Sequence, residues 1–219
     1  MVEISTSILS AEQGKETEIF LGLEKAKTDY FHIDVMDGKF VEKDTYNKMF
    51  EYSSYIKRIS NLPLDIHLMV KDVKQAINDF LSTEPNIITF HYEALKNKED
   101  VMDCINYIKQ NNCRVGLAIK PNTSIEEIYE FLPYIHMCLI MTVEPGKGGQ
   151  TLLHDMIDKI IKIKQYITEN EIDIDIEADG GINLRTVEEI KKAGANILVA
   201  GTAILKANDY SSIINELKA

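Results

Sequence analysis

His32 and Asp34 stand two residues apart at the end of the apolar run Tyr30-Phe31-His32-Ile33-Asp34-Val35-Met36. In an extended strand that spacing turns both side chains to one face, so a single strand offers two metal ligands. A second run, Leu64-Asp65-Ile66-His67-Leu68-Met69-Val70, carries another imidazole near its end. A third, Ile174-Asp175-Ile176-Glu177-Ala178-Asp179, ends in a further carboxylate before Gly180-Gly181. His32, Asp34, His67 and Asp179 together make a mixed nitrogen and oxygen set suited to one divalent ion, Zn²⁺, Fe²⁺, Mn²⁺ or Co²⁺. Asp34 and Asp179 come from distant runs, so they are also placed to approach a small molecule from opposite sides, each exchanging a proton with it. One such group alone is better explained as a hydrogen-bonded core or turn residue. Four at corresponding strand ends point to a site.

Glycine supplies the second signal. Glu144-Pro145-Gly146-Lys147-Gly148-Gly149-Gln150, Asp179-Gly180-Gly181 and Gly201-Thr202 each follow a β-rich run. Turns without side chains let backbone N–H groups come close to phosphate oxygens. Tight turning alone explains any one cluster; three on successive late loops favour a phosphate. Neither a Walker pattern nor an early G-x-G-x-x-G is present, which favours a small phosphorylated metabolite over a nucleotide. The absence of H-E-x-x-H and G-x-S-x-G removes the common zinc peptidase and serine hydrolase readings. Lys147 either adds a cation near the phosphate or reaches solvent.

The elements that must position these groups follow one grammar. Short β-rich runs at Ile4–Leu9, Tyr30–Met36, Leu64–Val70, Ile87–His91, Val115–Ile119, Met137–Val143, Ile172–Ala178 and Ile197–Ala200 alternate with longer stretches of helical period. Helices are expected over Gln13–Lys27, Val73–Leu81, Lys98–Asn111, Leu152–Thr168 and Arg185–Ala193, among others. Alternating strands such as Ile174–Ala178 need one face against helices and another toward an interior that accepts acids. That favours a closed (β/α)₈ barrel, a TIM barrel of the α/β class, over an open sheet. In such barrels chemistry sits at the C-terminal ends of the strands, where all four candidate ligands fall. No linker, low-complexity tract or heptad interrupts the alternation, so residues 1–219 are read as one domain.

Composition sets outer limits. The 219 residues carry 24 basic and 35 acidic side chains, a formal net charge of −11, which argues against a nucleic-acid partner. Cys104, Cys113 and Cys138 form neither pairs nor a C-x-x-C, so no disulfide framework or thiolate cage is expected. The first residues lack a basic, apolar leader and no run is long enough to span a bilayer; a cytoplasmic location without membrane association is expected. The Asn122-Thr123-Ser124 sequon would then go unused.

Taken in order, Ser7-Ile8-Leu9, Asp34-Val35-Met36-Asp37-Gly38, His67-Leu68-Met69-Val70, Gly116-Leu117-Ala118-Ile119-Lys120-Pro121, Met141-Thr142-Val143-Glu144-Pro145-Gly146, Asp179-Gly180-Gly181 and Gly201-Thr202-Ala203-Ile204 resemble the blocks of the ribulose-phosphate 3-epimerase family. The resemblance runs from the first strand to the eighth. It implies a ribulose-phosphate-binding barrel in carbohydrate metabolism, within the pentose phosphate pathway, that inverts C3 of a ketose phosphate. It implies that His32, Asp34, His67 and Asp179 hold one divalent ion and that Asp34 and Asp179 are the acid–base pair. By the same resemblance, Ser7, His67 and Asp179 touch the sugar phosphate. Gly146, Lys147, Gly148, Gly149, Gly180, Gly181, Gly201 and Thr202 surround its phosphate end. Met36, Met69 and Met141 would cap the reacting carbons, although as thioethers they serve equally well as core fillers. A homo-oligomer is also implied.

Removing the C3 hydrogen beside a C2 carbonyl leaves an enediolate. Inversion needs removal from one face and return to the other, hence two carboxyl groups, one ionised and one protonated. His91 is read as a support or core residue, Asp37 as a turn residue, and Glu177 as an interior hydrogen-bonding group. His136 and His154 read as structural or exposed. The family commonly has His-Phe-Val-Pro-Asn where this chain has Lys39-Phe40-Val41-Glu42-Lys43, an aromatic at Lys147 and a proline at Thr6. These departures leave the sugar open: D-ribulose 5-phosphate, giving D-xylulose 5-phosphate, is preferred, with D-allulose 6-phosphate as the rival. A metal-free lyase or synthase of the same architecture would keep the glycine loops but normally set a lysine among the strand-end acids.

Overall fold

In β2 (Tyr30–Met36) the residues Phe31, Ile33 and Val35 enter the main apolar core, while His32, Asp34 and Met36 face the other way. The same division recurs in β3 (Leu64–Met69), with Asp65, His67 and Met69 inward, and in β7 (Asp175–Asp179), with Glu177 and Asp179 inward. A strand with one face against helices and the other against fellow strands closes on itself. The computed structural model, which describes residues 2–219, is accordingly a closed barrel of eight parallel strands in the order β1 to β8. The remaining strands are β1 (Glu3–Ser7), β4 (Ile87–His91), β5 (Arg114–Ile119), β6 (Met137–Met141) and β8 (Ile197–Ala200).

The outer ring comprises α1 (Glu16–Lys25), α2 (Tyr46–Ile59), α3 (Val73–Leu81), α4 (Lys98–Gln110), α5 (Asp155–Glu169), α6 (Val187–Ala193), α7 (Thr202–Leu205) and α8 (Tyr210–Lys218). Each longer helix buries one stripe: α3 presents Val73, Ala76, Ile77 and Phe80, the i, i+3, i+4, i+7 spacing that faces a sheet. Asp72 caps α3 by accepting from Gln75 N–H, and Asn97 caps α4 by accepting from Asp100 N–H. Between β5 and β6 the connection is a run of 3₁₀ turns over Ile125–Tyr134 that contains Pro133 and buries Ile125, Ile128, Phe131 and Leu132.

Several expected boundaries move by one to three residues, among them the start of α1 at Glu16 rather than Gln13 and the end of β6 at Met141 rather than Val143, and two of the shifts have a visible cause. The helix expected from Leu152 begins at Asp155, because Leu153 N–H bonds Thr142 O and holds the preceding residues against β6. The strand expected from Ile172 begins at Asp175, because Ile172 N–H instead closes the end of α5 on Ile167 O. Among the described residues no helix is long and apolar enough to cross a membrane.

The barrel interior is divided. Ile87, Met137 and Ile197 make an apolar floor, and Ala118, Leu139, Met141 and Val143 an apolar wall along β5 and β6. Polar interior residues gather on the other strands: Ser5 and Ser7 on β1, His32 and Asp34 on β2, Asp65 and His67 on β3, Thr89 and His91 on β4, Glu177 on β7.

Candidate active site and metal centre

The register between β2 and β3 sets Asp34 beside His67 and His32 beside Asp65. Closure of the barrel brings Asp179 to the same point. His32 Nε2 lies 3.5 Å from Asp34 Oδ1 and 3.9 Å from Asp179 Oδ2, and His67 Nδ1 lies 3.7 and 3.5 Å from the same two atoms. One ligand atom from each of the four residues falls within 4.8 Å of the others. Tetrahedral donors about 2.0–2.2 Å from a common ion are about 3.3–3.6 Å apart, so the observed spacings fit a single divalent cation. A second observation agrees: His32 Nε2 and His67 Nδ1 are buried and find no hydrogen-bond partner among the described residues. Two unpartnered imidazole nitrogens facing two carboxylates describe a gap suited to positive charge.

Groups behind the four candidate ligands orient them. His32 Nδ1–H donates to Asp65 Oδ2 at 2.6 Å, which turns Nε2 toward the gap; Ser5 O–H donates to the same oxygen at 2.7 Å. Ser7 O–H donates to Asp34 Oδ2 at 2.6 Å, leaving Oδ1 to face the imidazoles. Thr45 O–H holds the Asp34 carbonyl at 2.6 Å, and Thr142 O–H holds that of Gly180 at 2.6 Å. His67 Nε2 lies 2.9 Å from His91 Nε2.

The electrostatics follow from burial and charge pairing. Burial opposes ionisation of Asp34, yet the His32 and His67 imidazoles hold its carboxyl well below the usual carboxylate range. Burial likewise opposes charge on His32, but the Asp65 and Asp34 carboxylates raise it well above the ordinary value. Burial and the adjacent Asp65 carboxylate push Glu177 well above the carboxylate range, so a neutral acid fills the interior beneath the site. Burial pushes His91 down to about 4. Glu93, despite its own burial, is brought down to about 2 by hydrogen bonds from His91, Thr123 and the Lys120 backbone.

Above the carboxylates a cavity of about 260 Å³ opens to the barrel mouth. It is lined by Ser7, Asp34, Met36, Met69, Met141, Gly146, Lys147, Gly148, Gly149, Asp179, Gly180, Gly181, Gly201 and Thr202. Every sequence-expected residue thus lines this cavity except His32 and His67, which meet Asp34 and Asp179 from below it, fully buried. Gly181 has φ +71, and a Cβ there would lie 2.6 Å from Leu152 N, so only glycine fits without a shift. Gln150 Nε2 braces the Gly146–Gly149 loop by donating to Glu144 O and Lys147 O. Lys147 is exposed at the outer edge.

Asp37 is a turn residue, its carboxylate accepting from the N–H groups of Lys39, Phe40 and Lys71. His154 is exposed, and His136 Nδ1 accepts from Val115 N–H away from the site. Sequence reasoning missed Asp65, although it shares with His67 the two-residue spacing that singled out His32 and Asp34. It also missed Glu93, which no periodicity distinguishes.

Known proteins bear on this arrangement. The chain matches the model of the ribulose-phosphate 3 epimerase family over residues 3–205. It is 38% identical over 218 residues to the ribulose-phosphate 3-epimerase of Methanocaldococcus jannaschii, covering 100% of this chain and 90% of that one. To the Escherichia coli ribulose-phosphate 3-epimerase it is 36% identical over 220 residues, covering 99% and 94%. To that of Bacillus subtilis it is 33% identical over 219 residues, covering 100% and 99%. In shape it resembles a 3-hexulose-6-phosphate synthase, with a TM-score of 0.72 at 14% identity over 99% of this chain and 98% of that one. The 3-keto-L-gulonate-6-phosphate decarboxylase from Vibrio cholerae gives 0.70 at 12% identity over 100% and 96%. Identities that low speak to the barrel alone. The sequence matches, running nearly end to end, show that the chain belongs to the ribulose-phosphate 3-epimerase family.

Proposed function

We propose that the protein is a divalent-cation-dependent epimerase that interconverts D-ribulose 5-phosphate and D-xylulose 5-phosphate by inversion at C3. The observation that carries this reading is the placement of the Asp34 and Asp179 carboxylates around one gap with two unpartnered imidazole nitrogens, at the floor of a cavity that ends in glycine loops. The family relationship supports the same substrate class, since the relatives above are named for that reaction.

The phosphate is held by backbone N–H groups of the Gly146–Gly149, Gly180–Gly181 and Gly201–Thr202 loops, with Lys147 at their rim. That anchoring sets C3 between the two carboxyl groups. One aspartate, ionised, takes the C3 proton, and the electron pair moves into the C2–C3 bond with negative charge on O2. The other aspartate, protonated, returns a proton to C3 from the opposite face. The pair ends with its protonation exchanged and no net proton gained or lost. Ser7 orients Asp34 for this exchange, and the thioethers of Met36, Met69 and Met141 keep water from the carbanionic carbon without adding charge. His32, Asp34, His67 and Asp179 would hold a divalent ion, which when bound would supply Lewis-acid stabilisation of the oxygen charge worth several kcal/mol.

Turnover of D-ribulose 5-phosphate in D₂O tests the reading, with D-allulose 6-phosphate run alongside and Fe²⁺, Zn²⁺, Mn²⁺ and Co²⁺ supplied in turn. Xylulose 5-phosphate carrying deuterium at C3 is expected, at a higher kcat/KM than for the hexulose. Product free of label counts against solvent-exchanging carboxylates, and a preference for the hexulose reassigns the substrate.

A further inference from the structure

His67 and His91 lie on neighbouring strands with rings stacked, centroids 5.0 Å apart, and Nε2 atoms 2.9 Å apart. Two neutral imidazoles at that distance share one hydrogen, so one ring donates and the other accepts. His67 Nδ1 is the buried, unsatisfied nitrogen that faces Asp34 and Asp179. A nitrogen that offers its lone pair to a cation carries no hydrogen; the His67 hydrogen is therefore on Nε2, and His91 Nε2 accepts it. An accepting Nε2 puts the hydrogen of His91 on Nδ1, which lies 3.2 Å from Glu93 Oε2.

Glu93 is itself anchored. Its Oε1 accepts from Lys120 N–H at 2.7 Å and from the Thr123 hydroxyl. The loop bearing those donors is gripped by Lys159 of α5, whose ammonium donates to the carbonyls of Lys120, Pro121 and Thr123 at 3.1, 2.7 and 2.7 Å. The Phe40 ring covers His91, with centroids 4.9 Å apart. Neither His91 nor Glu93 lines the cavity.

We propose that Glu93 and His91 are positioning residues that lock His67 in the tautomer with a bare Nδ1, so that its lone pair is already presented when the cation arrives. The direction of every hydrogen in the relay is set by the ionised Glu93 carboxylate, which can only accept; the Lys120 N–H holds one of its oxygens and leaves the other to take the His91 Nδ1 hydrogen. This rests on the cation site proposed above and assigns it a support reaching from the loop after β5 to the ligand.

The relay explains why a carboxylate is needed at position 93 and an amide of the same shape is not equivalent. In Glu93→Gln the fixed Lys120 N–H claims the amide oxygen, which turns the NH₂ toward His91 Nδ1. His91 must then carry its hydrogen on Nε2, where it meets that of His67. Relief comes by moving the His67 hydrogen to Nδ1, where it blocks the cation. A purely structural glutamate would tolerate the exchange.

Zn²⁺ affinity measured by chelator competition, together with ¹⁵N–¹H NMR of the Zn²⁺-loaded wild-type protein, tests the proposal. The NMR is expected to place hydrogens on His67 Nε2 and His91 Nδ1. Glu93→Gln is expected to weaken Zn²⁺ binding about 10–100-fold, the usual cost of losing such a support. The single variant His91→Gln is expected to bind Zn²⁺ more tightly than Glu93→Gln, because its NH₂ can donate to the Glu93 carboxylate while its oxygen accepts from His67 Nε2–H. A hydrogen on His91 Nε2 overturns the proposal even if no variant folds. So does Glu93→Gln binding Zn²⁺ as tightly as the wild type, or His91→Gln binding it no better than Glu93→Gln. Wild-type protein that fails to bind Zn²⁺ overturns the cation site, and this inference with it.

Discussion

At the His32–Asp179 end of the cavity the groups are side chains fixed by one another: His32 and His67 are fully buried, and the Asp34 and Asp179 side chains are only 8% and 15% exposed. At the Gly146–Gly149 end the surface is backbone, in loops whose outer residues, Lys147 to Gly149, are exposed. Proton transfer and charge development reward donors and acceptors that are already aligned in a poorly solvated place. Holding a phosphate asks only for N–H groups at the right separation, which glycine turns supply with little packing. Damage at the first end is therefore expected in kcat, and damage at the second in KM.

Asp179→Asn keeps the shape of the side chain and removes a proton acceptor. A fall in kcat of about 10²–10⁴-fold is expected with unchanged circular dichroism. A change confined to KM would break the division between the two ends. Stripping the cation with a chelator should cost several kcal/mol of barrier lowering, seen as lost turnover that returns when one of the four ions is added back. It should also lower the thermal midpoint, because an ion bound only by the folded chain stabilises it.

At the loop end, Gly181→Ala must either strain the backbone at φ +71 or displace Leu152, 2.6 Å from the added carbon. A loss of about 1–3 kcal/mol in stability is expected by denaturant titration, with a raised KM and a kcat closer to the wild type than that of Asp179→Asn. Acid sensitivity sharpens the contrast from the buried side. Burial lowers His91 from its ordinary 6.5 to about 4, so the unfolded chain binds the extra proton first. Its contribution is complete above about pH 6.5 and lost as pH falls toward about 4, at up to about 1.4 kcal/mol per pH unit. His91→Gln should flatten that part of the stability profile. The smallest effect is expected at the exposed rim, where Lys147→Ala should cost about 0.2–1 kcal/mol of binding, read as a modest rise in KM that shrinks with added salt.

Much of the site was legible because the side-chain period of a strand is a local property. His32 and Asp34 share a face, and so do Asp65 and His67, whatever the rest of the chain does. Parity also separated Phe31, Ile33 and Val35, which meet the helices, from the candidate ligands between them. Boundaries were less legible. Leu152 and Ile172 have the residue types of the elements expected there, yet their neighbourhoods commit Leu153 N–H to Thr142 and Ile172 N–H to Ile167.

Residue order and alternation were enough to specify an eightfold barrel, the four candidate ligands, the glycine loops and the kinship of the chain, because each depends on neighbours a few positions away or on motifs read in series. Partnership across strands was not specified at that level. Asp65 turning His32, Ser7 turning Asp34, the neutral Glu177 below them, and the links from Lys120 to Glu93 and from His91 to His67 depend on contacts between residues 24 to 60 positions apart or on strands that meet only when the barrel closes. Register and closure set which polar atoms touch, and those contacts decide which nitrogen of each imidazole is left free to hold a cation.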